Sequence, residues 1–162
     1  MFDAWRGGYI KAPCMKVRIM MSEHDVIVTR TIHADASRVW ATLTRPELVK
    51  RWMRGAEVDS TWEPGAMIIW SFEYEGKRYQ DMGEIVEISS PKRLVHTHFS
   101  GMSGAEDKPE NYHEVGWQLD DEGGSTKLTL TQDGVGSTKE AEEFKASWRT
   151  MLDSLRDVAE AG

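Results

Sequence analysis

The sequence predicts an α+β fold in which a curved antiparallel sheet of about seven strands wraps round one long carboxy-terminal helix. Two short helices follow the first strand. Three observations point there. From Ser137 onward, Ala141, Phe144, Trp148, Met151, Leu152, Leu155, Val158 and Ala159 recur at spacings of three and four, which puts a broad apolar stripe on one helix face. The middle of the chain instead shows period-two alternation broken by turn residues. A stripe bearing Phe and Trp needs a large apolar surface opposite, and the strands are the only candidate. The order β-α-α-β-β-β-β-β-β-α is that of an α+β domain, and a sheet curved round one helix tends to enclose a cavity.

Each element has its own warrant. Asp25 to His33 (DVIVTRTIH) is rich in β-branched residues and reads as a strand, with Val26, Val28, Arg30 and Ile32 on one side. Asp35 is a natural N-cap for a short helix with Val39, Trp40 and Leu43 inward. Thr44 and Glu47 read as a capping box, with Pro46 in the first turn, for a second short helix through Leu48, Val49 and Trp52. Glu57 to Thr61 is a short strand, and Pro64-Gly65 is a turn. Met67 to Glu75 alternates Ile68, Trp70, Phe72 and Tyr74 against Met67, Ile69, Ser71 and Glu73. Glu75-Gly76 turns the chain into Arg78 to Ser90, where Gly83 suggests a bulge or kink. Arg93 to Ser100 is a strand, and Gly101 to Asn111 a polar loop. Tyr112 to Asp120 and Ser125 to Gln132 form a last hairpin. Ser137 and Glu140 make the capping box of the long helix.

Composition narrows the function classes. At 162 residues the chain is most simply one domain, and 29% charged with 40% hydrophobic residues suits an ordinary globule. Seven tryptophans are many, so the core is bulky or incompletely filled. A formal charge of -7 argues against binding nucleic acid or an anionic membrane. The single Cys14 excludes an internal disulfide framework and fits a reducing cytoplasm. No apolar stretch is long enough for a secretory core or a membrane span. The first twenty residues are basic, with Arg6, Lys11, Lys16 and Arg18 against Asp3, and show neither strand nor helix period. Residues 1–22 are therefore read as a leader, disordered or loosely packed. An arm packing through Trp5, Tyr9 and Ile10 is the alternative. Residues 23–162 form the single domain.

Several motifs in this order resemble one known family. They are Ile32-His33-Ala34-Asp35 with Val39-Trp40, Thr44-Arg45-Pro46-Glu47-Leu48, Arg51-Trp52 and the turn Glu63-Pro64-Gly65. Gly83-Glu84-Ile85-Val86-Glu87-Ile88, Pro91-Lys92-Arg93-Leu94-Val95, Thr126 to Thr131 and Trp148 complete the set. Together they are similar to the START-like (SRPBCC) superfamily with its helix-grip fold. Within it the chain resembles the family of the activator of the heat-shock-protein-90 ATPase, in its small bacterial single-domain form. The resemblance covers residues 23 to 161. It implies the sheet-round-helix architecture and a cavity that takes small apolar molecules. The sequence departs from the family where His96 and His98 replace aromatic residues and Ala66 replaces a glycine. The separate amino-terminal domain of the eukaryotic co-chaperone has no counterpart in the residues read, which weighs against carrying its role over. Fold resemblance does not transfer function.

The inward positions of the strands nominate the site. Alternation points Ile68, Trp70, Phe72, Tyr74, His96, His98 and Trp117 at the long helix, with Leu94, Val115, Leu119, Leu128 and Leu130. Trp40, Trp52, Phe144, Trp148 and Met151 would close the volume. This set either forms solid core or lines a pocket for an apolar or aromatic small molecule. His96 and His98 share a face at i and i+2. They are polar contacts for a ligand, structural residues satisfied by neighbours, or part of a metal site needing a third ligand from Asp81, Glu84, His113 or Glu114. Tyr74, Tyr79, Asp81, Glu84 and Tyr112 are candidate acid or base groups for a cyclase-like or hydrolase-like enzyme. No nucleophile elbow and no phosphate loop is present; Gly101-Met102-Ser103-Gly104 lacks the Lys-Ser ending. The expectation is a cytoplasmic ligand-binding protein with no cofactor, no metal and no membrane insertion. Met67 and Ile69, alternating outward, suggest a homodimer. A module acting on a heat-shock-protein-90-type ATPase is the second reading, and an enzyme using the same cavity the third.

Overall fold

The β-branched and aromatic runs become seven strands of one antiparallel sheet in a computed structural model of the chain, which describes residues 25–162. The leader read at 1–22, with Trp5, Tyr9 and Ile10, lies outside the described residues. The strands are β1 (Val26–Ile32), β2 (Glu57–Asp59), β3 (Met67–Tyr74), β4 (Lys77–Ser89), β5 (Arg93–His98), β6 (His113–Asp121) and β7 (Thr126–Gln132). Their order across the sheet is β1-β7-β6-β5-β4-β3-β2. Two short helices, α1 (Ala36–Thr44) and α2 (Pro46–Trp52), follow β1, and α3 (Thr138–Glu160) closes the chain. This is the α+β helix-grip arrangement that the stripe on α3 demands.

Local chemistry explains most boundaries. Asp35 caps α1 by accepting the Arg38 N–H at 2.8 Å. Ser137 caps α3 by accepting the Glu140 N–H at 3.1 Å. Glu75 and Gly76 both adopt left-handed backbone, with φ of 50° and 78°, so the β3–β4 hairpin closes in a two-residue turn. Two expectations are corrected. Thr44 does not open a capping box for α2. It is the last residue of α1, its hydroxyl donates to the Trp40 carbonyl at 2.9 Å, and Arg45 takes the N-cap position with no side-chain cap bond. Nor does Gly83 form a bulge. It pairs in register with Ile68, and the bulge lies between Ile85 and Glu87. Gly83 is needed because a Cβ there would run into the Thr97 carbonyl of the neighbouring strand.

The sheet meets α3 with one face. Register puts Val26, Gln132 and Val115 side by side, then Val28, Leu130, Trp117 and Leu94, then Arg30, Leu128 and Leu119. Against them Leu152 and Leu155 of α3 are fully buried, together with Ile32, Val39 and Leu128. Burying side chains of this size contributes roughly 1.5–3 kcal/mol each. The carboxy-terminal end of α3 is also tied down by polar groups. The Arg38 guanidinium donates to the carbonyls of Ala159 (3.2 Å) and Val158 (3.1 Å), where the helix presents its negative end. The Arg30 Nε–H donates to Asp153 Oδ1 at 2.7 Å, and the His33 N–H to Glu160 Oε2 at 2.7 Å.

Candidate functional site

The amino-terminal half of α3 is packed differently. Only Ala141 is buried there, while Phe144, Trp148 and Met151 are half-buried. Opposite them the sheet presents the ends of β4, β5, β6 and β7, where the inward residues turn polar: Asp81, His98, His113 and Gln132. Half-buried aromatic side chains of α3 thus meet the polar end of the sheet's inner face. A solvent-open cleft of about 610 Å3 runs along this part of α3, lined by Ser137, Lys139, Glu140, Glu143, Phe144 and Ser147.

Trp117 sits at the border of the two halves. Its ring meets Trp148 edge-on at 5.6 Å and Trp52 at 6.2 Å. Its indole N–H donates to His96 Nε2 at 3.0 Å. An indole can only donate, so His96 carries its proton on Nδ1, which donates to the Thr97 carbonyl at 2.9 Å. Both imidazole nitrogens are therefore engaged. Burial holds the His96 pKa down at about 4, against a lesser upward pull from the Thr97 hydrogen bond. Neutral His96 is thus part of the wall.

His98 is placed otherwise. It points to the same face as His96, and the Trp70 ring lies against both, 5.3 Å from His96 and 5.8 Å from His98. His98 Nε2 lies 3.0 Å from Asp81 Oδ2, and Asp81 Oδ1 accepts the Gly101 N–H at 3.0 Å. The carboxylate so orients the imidazole and also ties the loop after β5. His98 is half-buried and pairs across the strands with His113. The His113 ring packs edge-on against Phe144 at 5.8 Å, and its pKa is lowered by burial and by nearby His98.

The sequence-nominated residues divide. Trp70 and His98 on the sheet and Phe144 and Trp148 on α3 are half-buried, with half-buried Phe72 stacked on Tyr79 further along the sheet at 5.9 Å. Ile68, Trp52, Trp117 and His96 lie in the core, where the Trp52 indole donates to the Thr42 carbonyl at 2.8 Å. Trp40 and Met151 are half-buried against that core. Tyr74, at the end of β3, is 51% exposed. Among the described residues no three His, Cys, Asp or Glu side chains come together to hold a metal ion. Of the acid and base candidates, Tyr112 Oη donates to Asp107 Oδ1 at 2.6 Å, and its pKa is raised by burial and by that carboxylate. Glu114 faces away from α3. Burial, with Asp133 beside it, pushes its pKa up to about 8. Sequence reasoning passed over Gln132 as a candidate site residue. The alternation that turns Leu128 and Leu130 inward turns Gln132 inward as well, and that signal was available.

The model of the family described as "Activator of Hsp90 ATPase homolog 1-like protein" matches residues 33–160. The solution structure of ChR145 from Cytophaga hutchinsonii is 36% identical, with a TM-score of 0.75 over 85% of this chain and 94% of that one. CalU16 from Micromonospora echinospora is 24% identical, with a TM-score of 0.63 over 83% of this chain and 75% of that one. The Aha1 dimer from Colwellia psychrerythraea is 19% identical, with a TM-score of 0.66 over 84% of this chain and 96% of that one. The last two likenesses speak to fold alone. No curated protein sequence matches the chain.

Proposed function

This chain belongs to the Activator of Hsp90 ATPase homolog 1-like family, and from that premise we propose that it binds a small apolar or aromatic molecule in the groove between the amino-terminal half of α3 and the sheet. One observation carries the reading. Phe144 and Trp148 stand over His113 and Gln132 yet remain half-buried, whereas the other half of the same interface is closed by fully buried aliphatics. Half-covered apolar surface with a few placed polar groups is the usual make-up of a small-molecule site. Trp70, Phe144 and Trp148 supply the walls and His98, held by Asp81, a polar contact. Closing these rings over an apolar ligand contributes about 25 cal/mol per Å2 removed from water, before association costs.

The test is a thermal-shift screen of lipophilic and aromatic compounds with tryptophan fluorescence as a second readout. Binding raises the melting temperature and quenches Trp70 and Trp148. A library that moves neither signal removes the proposal.

A second reading rests on the family match itself: a module that acts on a heat-shock-protein-90-type ATPase. It predicts that the protein stimulates the ATPase of a bacterial member of that chaperone class. A flat titration ends it. Among the described residues no helix is long and apolar enough to cross a membrane.

A further inference from the structure

The Gln132 side chain on the sheet's inner face is only half used among the described residues. Gln132 is 3% exposed and sits on the inner face of β7 between Val26 and Val115. Its Oε1 accepts the Trp148 indole N–H at 2.7 Å. Because the indole is donor-only, this bond fixes which end of the amide is oxygen and which is nitrogen. Nε2, with two N–H groups, is left with no hydrogen-bond partner among the described residues. A buried amide in that state costs on the order of 1–3 kcal/mol, so each such group calls for a reason. Leu128 and Leu130 occupy the preceding inward positions of the same strand, where an apolar residue is plainly accommodated.

The surroundings say what would satisfy it. Trp148, bonded to the amide oxygen, stands over one side. His113 lies diagonally across the strands on the same face, with Phe144 against its ring. A flat ring system inserted between such walls would bring an acceptor oxygen on its inner end to the Nε2 protons. An anion suits the place poorly. Asp133 and Glu140 both act electrostatically on His113, Asp81 holds His98 next to it, and Glu143 lines the adjoining cleft. Of the nearby cations, Lys139 is exposed in that cleft and Lys145 is bridged to Glu142. We propose that Gln132 is the polar recognition group of this groove and that it selects neutral aromatic molecules carrying a carbonyl oxygen. The proposal rests on the groove reading above and narrows it to a ligand class.

Three probes of nearly equal shape test it on the full chain: 2-acetylnaphthalene, 2-ethylnaphthalene and 2-naphthoate. Calorimetry should show the ketone binding about tenfold more tightly than the hydrocarbon, the worth of one made hydrogen bond, and more tightly than the carboxylate. In 15N spectra of the unaltered protein the Gln132 side-chain amide should shift with the ketone and stay in place with the hydrocarbon. Gln132→Met should reduce ketone affinity about tenfold and change hydrocarbon affinity less than threefold. The spectra decide the matter even if that variant folds poorly. Equal binding of ketone and hydrocarbon with a stationary Gln132 amide overturns the inference and leaves the groove standing. Tighter binding of naphthoate overturns the choice of a neutral ligand. Failure of all three probes to bind, with no resonance moving, overturns the groove and the inference together.

Discussion

The two halves of α3 face the same sheet and are built on different terms. The carboxy-terminal half buries Leu152, Leu155, Val158 and Ala159 against aliphatic strand residues and adds ion pairs and carbonyl contacts at its end. The amino-terminal half sets Phe144 and Trp148 over histidines and an amide and leaves its rings half-buried. One half is optimised for stability. The other keeps large apolar surface and polar atoms available at a cost to stability, which is the pattern expected where a fold carries a site. Three imidazoles stand in the second half as well: His96 at its border, then His98 and His113.

The sharpest way to break this contrast is a truncation on each side. Leu155→Ala, at a position with no exposure, should destabilise the fold by roughly 2–5 kcal/mol in urea unfolding. A value under about 1 kcal/mol would mean that the closed half is not the stabilising one. Next in size is the border. Trp117→Phe keeps most of the ring but strips His96 Nε2 of its donor, and the loss should be about 1–3 kcal/mol. His96→Ala in the Trp117→Phe background should then cost less than it does alone, since the two residues share one bond.

A third test uses pH. Glu114 has a folded-state pKa raised to about 8, so its contribution is complete below the ordinary carboxylate range and is lost as pH rises through about 8. His96 has a folded-state pKa lowered to about 4, so its neutral form favours folding at neutral pH and that contribution is lost as pH falls through about 4. Between the ordinary carboxylate and imidazole ranges the slope from Glu114 is opposed by those from His96 and His113, both imidazoles being held below their ordinary value. Above pH 6.5 only Glu114 acts, and stability should fall on the order of 1 kcal/mol per pH unit up to about 8. Glu114→Gln should flatten that limb in unfolding titrations at pH 6.5, 7.5 and 8.5, and an unchanged slope would contradict the buried-carboxyl account.

The smallest effect on stability should come from the open half. Phe144→Ala should cost only about 1 kcal/mol, because the ring is half-buried, yet it should abolish the fluorescence response to aromatic compounds. If it destabilises as much as Leu155→Ala, the two halves do not differ in the way described.

Much of the fold was legible because its signals are local and redundant. The stripe on α3, the Asp35 and Ser137 caps and the Glu75-Gly76 turn each depend on residues within a few positions. The errors fell where geometry is settled by a neighbour. Thr44 carries the right letters for a cap but completes α1 instead. Gly83 looks like a bulge, yet what it accommodates is the Thr97 carbonyl of another strand. The site was read less completely for the same reason. That His96 is held by Trp117, or that His98 stands beside His113, follows from the register between β5 and β6. A loop of fourteen residues separates those strands, and nothing in it encodes the register. Gln132 is a different case, since its alternation was readable and only its chemistry was overlooked.

The Arg38 clasp has a mechanical corollary. With the last carbonyls of the long helix gripped by a guanidinium and its final turns wedged among aliphatics, that end is a fixed pivot. The indole–amide bond from Trp148 to Gln132 ties the middle of the same helix to β7. Were the proposed groove to admit a guest, the turns ahead of Trp148 would be the ones to swing, far from the Arg38 clasp, and the guest would share the Gln132 amide with the indole.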